Sequence, residues 1–290
     1  MSFLSLNDDV IFTLFQNCPL QTINRLCQIH PRIRGLCRQS RFRQVMEEKL
    51  VNDLVARYES KELALIAMIR QGDLVGVNLL IEYGVDPSTN YNQALIEASC
   101  YGDLAVVDRL LQDNRVVRSC RRVKALVKAS KWGHLAVVNR LLQDKRVDPS
   151  ILDNWVLIKA IRYGRLPVVD RLLQDDRVNP SIQNNQALIE ASRHGHLAIV
   201  NRLLQDNRVN PSIPNNQALI EASEWGRLPV VKRLLQDNRV DPSVPNNMAL
   251  VKASNYGHLA VVNRLLKDKR VDRSQARFIL GEYLIGSESE

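Results

Sequence analysis

The sequence predicts an all-α solenoid of about seven repeats preceded by an N-terminal helical cap. Two observations lead to this fold class: a glycine that recurs at a fixed interval, and apolar residues at helical spacing between the glycines. The recurring glycines lie 31 residues apart at Gly102, Gly133, Gly164, Gly195, Gly226 and Gly257, with a looser copy at Gly72. Such self-similarity is typical of proteins in which each unit buries its apolar face against its neighbours.

One unit, residues 184–213, illustrates the first helix of the predicted pair. This helix has a narrow apolar stripe formed by Ala187, Leu188 and Ala191. Asn184 or Asn185 can cap its start, and Gly195 suits the left-handed residue that commonly ends a helix.

A second helix is predicted from about Leu197 to Gln205. Its inward residues are expected to be Leu197, Val200, Leu203 and Leu204. Pro167 and Pro229, in other copies, support this start because proline is tolerated in the first turn of a helix. Helices of about nine residues are marginal alone in water, so stacking must stabilise them.

The pattern A-L-x-x-A-S-x-x-G-H-L-x-V-V-x-R-L-L, followed by R-V-D-P-S, resembles the ankyrin repeat. The resemblance covers roughly residues 61–275 and assigns 59–275 to the repeats and 276–290 to a C-terminal capping segment and tail. The family's Thr-Pro-Leu-His opening is replaced by Gln-Ala-Leu-Ile at 186–189, and the unit is shorter than 33 residues. The resemblance implies antiparallel helix pairs and a concave surface that binds a target protein.

The cysteines and the N-terminus indicate a reducing compartment, the cytoplasm or the nucleus. Five cysteines show no C-x-x-C spacing and no even framework, so we expect reduced thiols: Cys18, Cys27, Cys37, Cys100 and Cys120. The N-terminus lacks the basic region and the long apolar run of a secretion signal. No run of 18 apolar residues predicts a membrane span.

Residues 1–58 do not follow the repeat and are predicted to form a separate helical module. The first helix is indicated by one apolar stripe: Val10, Ile11, Leu14 and Phe15. A second helix is expected to open at Pro19, and a third contains Ile33 and Leu36. A longer helix from about Arg41 to Arg57 is expected to dock on the first repeat and cap the stack.

The segment L-N-D-D-V-I at 6–11, with Leu14 and then P-L-Q-T-I-N-R-L-C at 19–27, resembles an F-box. The family's proline after the first leucine is Asn7 here. The resemblance implies docking on the linker subunit of a cullin-RING ubiquitin ligase through Leu6, Val10, Ile11, Leu14, Pro19, Leu20 and Ile23. The alternative is a plain helical cap with an ordinary amphipathic core.

An aromatic residue precedes each recurring glycine from the second repeat onward. This aromatic row consists of Tyr101, Trp132, Tyr163, His194, Trp225 and Tyr256. In ankyrin proteins this end of the first helix commonly contacts partners, and large rings supply contact area at low entropic cost. The alternative is that the rings are structural filler. The preceding position varies between copies, from Cys100 and Lys131 to Glu224 and Asn255, which is better evidence of recognition than sameness.

Positive charge is concentrated in one segment. The chain carries a net charge of +9, and residues 115–146 hold ten basic residues against one acid, Asp144. The cluster where the repeat template breaks is Arg118, Arg121, Arg122, Lys124, Lys128 and Lys131. This basic segment would attract an acidic peptide, a phosphorylated segment or a nucleic-acid backbone, and the alternative is a solvated charged edge.

A recurring arginine in each second helix lies four residues before an aspartate, as Arg202 does before Asp206. This spacing predicts exposed ion pairs worth a few tenths of a kcal/mol at about the most.

The residues give no support for an enzyme, a metal site or a cofactor. The five histidines lack a recurring Ser, Cys or Asp partner, and His134, His196 and His258 occupy a Gly-His step that ankyrin repeats use structurally. No phosphate-cradling loop and no metal-ligand spacing appears.

The sequence therefore predicts a non-enzymatic adaptor whose repeats hold a target protein while the N-terminal module recruits ubiquitin-ligase machinery. Two alternatives remain: a scaffold that only binds or sequesters a partner, and nucleic-acid binding through the basic segment. F-box modules joined to ankyrin stacks resemble proteins of large DNA viruses, which implies action in host cells.

Overall fold

The computed structural model describes residues 7–18, 28, 31–118, 122–145 and 147–271. Over these residues the chain is helical and contains no strand. It divides into two compact units, Met1–Ser119 and Cys120–Glu290. The predicted all-α class is confirmed.

The described residues at the start of the first unit form the helices α1 (Asp8–Asn17), α2 (Pro31–Cys37) and α3 (Ser40–Tyr58). The Asn7 side chain caps α1 by accepting a hydrogen bond from the Val10 backbone N–H at 2.9 Å. The long helix α3 agrees with the predicted one within a residue at each end. The helix expected to open at Pro19 lies outside the described residues.

These three helices share a small apolar core. Its buried members are Ile11, Phe15, Ile33, Leu36 and Phe42. Phe15 and Phe42 meet edge to face, with ring centroids 5.3 Å apart. Of the predicted α1 stripe, Ile11 and Phe15 are therefore core residues, whereas Val10 and Leu14 are exposed.

Two repeats follow in the first unit and five in the second. The first unit contains α4 (Lys61–Gln71), α5 (Leu74–Glu82), α6 (Thr89–Tyr101), α7 (Leu104–Gln112) and a 3₁₀ helix (Asn114–Arg118). The second unit contains α8 (Arg122–Trp132), α9 (Leu135–Leu142), α10 (Ile151–Arg162), α11 (Leu166–Leu173), α12 (Ile182–His194), α13 (Leu197–Leu204), α14 (Gln217–Glu224), α15 (Leu228–Leu234), α16 (Met248–Asn255) and α17 (Leu259–Leu266). The even-numbered members from α4 to α16 are the first helices of their repeats.

Helix α3 packs against the first repeat. The Tyr83 hydroxyl donates to the Gln44 carbonyl at 3.2 Å, and the Gln71 amide donates to the Tyr58 hydroxyl at 3.0 Å. Val51 of α3 is buried. This helix therefore covers apolar surface that the first repeat would otherwise expose.

The buried faces of the short helices follow from sequence spacing, with one exception. Ala187, Leu188 and Ala191 of α12 are buried, as predicted. In α13 the buried residues are Ile199, Val200 and Leu203. Leu197 is instead 36% exposed and Leu204 is half-buried, so the predicted inward face of α13 is rotated toward Ile199. The i, i+1 and i+4 spacing is the same in both helices, which gives each one a single narrow stripe.

Two physical requirements explain why a first helix of the second unit ends at glycine, as Gly195 shows. Its φ of +78° lies in the left-handed region, where a Cβ is costly. A Cβ at this position would also lie 2.8 Å from Cδ of Arg227, which belongs to the next repeat. The position therefore needs glycine both for its own backbone and for close approach of its neighbour.

In four repeats of the second unit, the side chain after the glycine reaches back to the preceding repeat. Each places a ring or guanidinium N–H on a main-chain carbonyl near the end of the preceding first helix: Arg165 on Lys131 (3.1 Å), His196 on Arg162 (3.2 Å), Arg227 on Arg193 (3.0 Å) and His258 on Glu224 (2.9 Å). Carbonyls at a helix C-terminus lack intrahelical partners, so these bonds satisfy them. His196 and His258 are thus structural.

A buried asparagine makes a second link between repeats. Asn185 is 3% exposed, has a φ of +62°, and donates from Nδ2 to the Asn210 carbonyl of the next turn at 3.1 Å. Asn154 makes the equivalent bond to the Asn179 carbonyl at 2.6 Å. The expectation that Asn185 caps its helix through its side chain is therefore wrong, because that side chain bonds the following repeat. Asparagine suits the site because it tolerates left-handed backbone.

The loop arginine makes a third link, and it corrects the predicted ion pairs. Arg208 donates from Nε and Nη2 to Asp206 at 2.9 and 2.7 Å, and from Nη1 to the Val178 carbonyl of the preceding repeat at 3.0 Å. The same arrangement holds for Arg177 with Asp175, Arg239 with Asp237 and Arg270 with Asp268. Arg202, the predicted partner of Asp206, instead pairs with Asp170 at 3.1 Å.

The cysteines agree with the sequence expectation only in part. Cys18 and Cys100 form no disulfide bond. Cys37 is disulfide-bonded, so the expectation of reduced cysteines is wrong for this residue. Cys27 and Cys120 lie outside the described residues.

The double role of Gly195 can be tested with a mutant cycle. Gly195→Ala should destabilise the chain by about 2–3 kcal/mol, since a left-handed alanine costs about 1–2 kcal/mol and displacing Arg227 loses a further hydrogen bond worth about 1 kcal/mol. In an Arg227→Ala background, Gly195→Ala should cost only the free energy of placing alanine in the left-handed region. Urea unfolding followed by circular dichroism measures both, and an equal cost in both backgrounds would show that Arg227 does not constrain the glycine.

Candidate partner-binding surface

The aromatic row is exposed wherever it carries a Tyr or Trp. Tyr101, Trp132, Tyr163, Trp225 and Tyr256 expose between 43% and 58% of their surface. Residues one turn earlier on the same helices, such as Ala98 and Ala191, are fully buried. A ring that only filled space between helices would be buried like these alanines, so the exposure favours a contact role for the row.

His194, the one histidine in the row, is exposed as well. Its Nδ1 lies 3.0 Å from the Glu190 carbonyl, and its ring stacks on His196 with centroids 6.0 Å apart. Tyr256 likewise stacks on His258, at 6.5 Å. In these two copies the row residue thus stacks on the histidine of its own repeat.

The residue before each member of the aromatic row can form an ion pair with the next first helix. These ion pairs form a ladder along the second unit. Arg162 binds both carboxylate oxygens of Glu190, at 2.9 and 2.8 Å. Twenty-eight residues separate these partners. The same register joins Arg193 to Glu221 at 2.9 Å, and, with the signs reversed, Glu224 to Lys252 at 3.2 Å. The variability noted at this position is therefore explained for these three copies by pairing within the chain.

The ladder also fixes the protonation of its buried members. Glu190 is 1% exposed, and burial alone would raise its pKa. Hydrogen bonds from Arg162 and Gln186 outweigh that effect, so the pKa of Glu190 lies below its usual range. The pKa of Glu221 is lowered against burial in the same way by Arg193 and Gln217.

A basic and aromatic cluster occupies the first helices α8 and α10. The Lys131 ammonium lies 4.9 Å from the ring centroid of Trp132 and 4.8 Å from that of Tyr163. Lys159 lies 4.2 Å from the ring centroid of Trp155, which is 36% exposed. Ammonium groups at such distances are attracted to the ring face. The repeat pattern did not indicate Trp155 and Lys159 as site residues, although Trp155 stands where Gln186 and Gln217 stand in later copies.

The basic segment is only partly represented in this cluster. Lys124 and Lys128 are exposed on α8, and Lys131 is half-buried. Arg115 is held by Asp113 at 2.7 Å. Arg118 ends the 3₁₀ helix and Arg122 begins α8, but their side chains are outside the described part of the chain, as is Arg121 altogether.

The F-box-like site residues fall into three groups. Val10 and Leu14 are 41% and 38% exposed on α1. Ile11 is 1% exposed in the core, so its side chain is not on the surface. Leu6, Pro19, Leu20 and Ile23 lie outside the described residues.

Among the residues that the structure describes, no group of His, Cys, Asp and Glu side chains could hold a metal ion. None of the described helices combines the length and the apolar character needed to cross a membrane.

Short antiparallel helix pairs linked at a constant interval define a helical repeat protein. A family model described as "Ankyrin repeats (3 copies)" matches residues 63–153, 126–215, 157–246 and 188–276, and the chain belongs to this family. The ankyrin repeat domain of human ASB11 has a similar fold, with a TM-score of 0.58 and 21% sequence identity over 69% of this chain and 96% of that domain. No curated protein matches the chain.

The family defines the coarse function. Ankyrin repeats are protein–protein interaction scaffolds that are typically non-enzymatic, and the match indicates no catalytic family. The chain is such a scaffold.

The ladder predicts a dependence of stability on pH. A carboxylate whose pKa is lower in the folded state than in the unfolded state stabilises the fold. This stabilisation is complete at a pH above the pKa of the unfolded state, 4.5 for glutamate. It disappears as the pH falls through the pKa of the folded state. Glu190→Gln should therefore cost about 1.5–3 kcal/mol at neutral pH. Its difference from the wild type should shrink on acidification below about pH 4.5.

Unfolding by urea at a series of pH values measures this difference. Asp176→Asn, at an exposed acid of the same unit, is the control and should change stability little at any pH. A Glu190→Gln cost that stays constant down to pH 3 would contradict the ionic role of Glu190.

Proposed function

We propose that the chain is an adaptor in which the aromatic row binds a target protein and the N-terminal module recruits a cullin-RING ubiquitin ligase. The observation that carries the first part is the exposure of the Tyr and Trp rings of the row. The second part is supported by the F-box-like sequence and by the two exposed apolar residues of α1.

Target binding through the row follows from the chemistry of its side chains. Exposed Tyr and Trp rings lose little conformational entropy on binding and gain a large contact area, which is why they dominate binding energy at protein interfaces. Within the second unit the rings lie at the same position of successive first helices, so they repeat along this unit at a constant interval. An extended segment of a target protein can contact several rings at once.

Ligase recruitment through α1 rests on the division of its apolar stripe. Ile11 and Phe15 hold α1 to the rest of the module, while Val10 and Leu14 point away from that core. Exposed apolar residues next to each other on one helix mark a surface for a partner. Recruitment of this machinery would place the chain in the cytoplasm or nucleus, including that of a host cell.

Trp225→Ala tests the target-binding surface. The exposed ring contributes little to packing, so the unfolding free energy should change by less than about 1 kcal/mol, while capture of the target should be lost. Leu203→Ala, at a fully buried leucine, is the matched control and should cost about 2–5 kcal/mol. Affinity purification with mass spectrometry, beside thermal unfolding, measures both effects. Equal destabilisation by the two changes would exclude the row as a contact surface.

Val10→Asp with Leu14→Asp tests ligase recruitment. Both side chains are exposed, so the variant should fold and yet lose the linker subunit in a pull-down. Ile11→Asp places a charge in the core and should unfold the module, so it serves as the control for loss of structure. If the double variant retains the linker subunit, or the wild type never binds it, recruitment is wrong while target binding still stands.

A further inference from the structure

One step of the ion-pair ladder lacks a carboxylate. The register of 28 residues that joins Arg162 to Glu190 and Arg193 to Glu221 also relates Lys131 of α8 to Lys159 of α10. Here both members are cationic. In the step from Glu224 to Lys252 the signs are again opposite, so the like-charged step is an exception within the second unit.

Neither lysine has an internal counter-ion among the described residues. Lys131 lies between the rings of Trp132 and Tyr163, and Lys159 lies over the ring of Trp155. These contacts orient the ammonium groups without neutralising them, since a ring carries no net charge. Lys124 and Lys128, both exposed on α8, add to the positive potential.

We propose that an acidic side chain of the target protein binds between Lys131 and Lys159, where it supplies the carboxylate that the ladder lacks. This assignment deepens the proposed target binding and rests on it. The carboxylate would accept charge-assisted hydrogen bonds from both ammonium groups, and an apolar neighbour in the target would contact Trp132, Trp155 or Tyr163.

The surroundings favour an acidic protein segment over a nucleic acid. The following first helices carry Glu190, Glu221 and Glu224 at the equivalent positions, and these are buried or partly buried in ion pairs. A phosphate backbone that continued along the stack would meet no free cation at these steps. A protein segment needs an acidic residue only at the like-charged step and can present other side chains to the remaining rings.

Reversing the charge of one lysine tests the proposed binding of an acidic side chain. Lys159→Glu would recreate the Arg193–Glu221 arrangement with Lys131, and Lys131→Glu would recreate the Glu224–Lys252 arrangement with Lys159. Each should therefore raise the melting temperature by about 1–3 °C, as expected for one partly exposed ion pair. Each should also weaken binding of a fluorescein-labelled oligoglutamate about tenfold or more, as measured by fluorescence anisotropy at low salt.

Two further variants separate this site from a general charge effect. Lys232→Glu makes the same change in net charge on the exposed surface of α15 and should leave oligoglutamate binding within about twofold. The double variant Lys131→Glu with Lys159→Glu again has like charges at this step, so its melting temperature should be lower than that of either single variant. It should bind oligolysine in place of oligoglutamate.

Three results would overturn the assignment. They are unchanged oligoglutamate binding in Lys159→Glu, an equal loss in Lys232→Glu, and binding of single-stranded DNA in place of oligoglutamate by the wild type. None of them bears on capture of the target through Trp225, so failure here is distinct from failure of the proposed adaptor function.

Discussion

Each helix of the repeats is too short to persist by itself in water, so contacts between neighbouring repeats decide whether the chain folds. Apolar stripes supply most of this contact, as Leu188 and Leu203 show by their complete burial. Three kinds of hydrogen bond then fix the geometry, from the residue after each glycine, from the buried asparagine and from the loop arginine. All three end on main-chain carbonyls, which are present whatever the side chain, so the same links recur at every repeat that keeps the donor.

The apolar skeleton could be predicted from the sequence because it depends on local spacing. The helix boundaries, the left-handed Gly195 and the burial of Ala187 and Leu188 all follow from periodicity and backbone preference. The partners of polar side chains could not be predicted, because they lie about thirty residues away and are chosen by geometry between repeats. Asn185 and Arg208 both have plausible local partners, yet both also bind the neighbouring repeat. The rotation of α13 toward Ile199 has the same cause, since packing between repeats selects the buried face.

The candidate site illustrates how repetition separates structure from function. The row residues were identifiable in the sequence because an aromatic residue precedes each recurring glycine from the second repeat onward. Their exposure separates them from the buried alanines of the same helices. The variable position beside them suggested recognition, but Arg162, Arg193 and Glu224 are engaged within the chain. Only the three-dimensional register showed which copies are satisfied internally and which, at Lys131 and Lys159, are not. Trp155 and Lys159 could not be predicted, because they stand where a later repeat has Gln186 and Glu190. The partners of those two residues are visible only in the structure.

The side chain that covers each glycine alternates between two types along the second unit. Arginine covers Gly133 and Gly195, and histidine covers Gly164 and Gly226. Consecutive junctions therefore differ, and a junction of the same type returns only after two repeats. Loss of a single repeat would bring together a glycine and a covering side chain that do not face each other in the present chain. Excision of an adjacent pair would keep the alternation of arginine and histidine over the surviving glycines. The contact that covers the glycines is thus periodic in steps of two repeats, so a change in length by an even number of repeats preserves this contact.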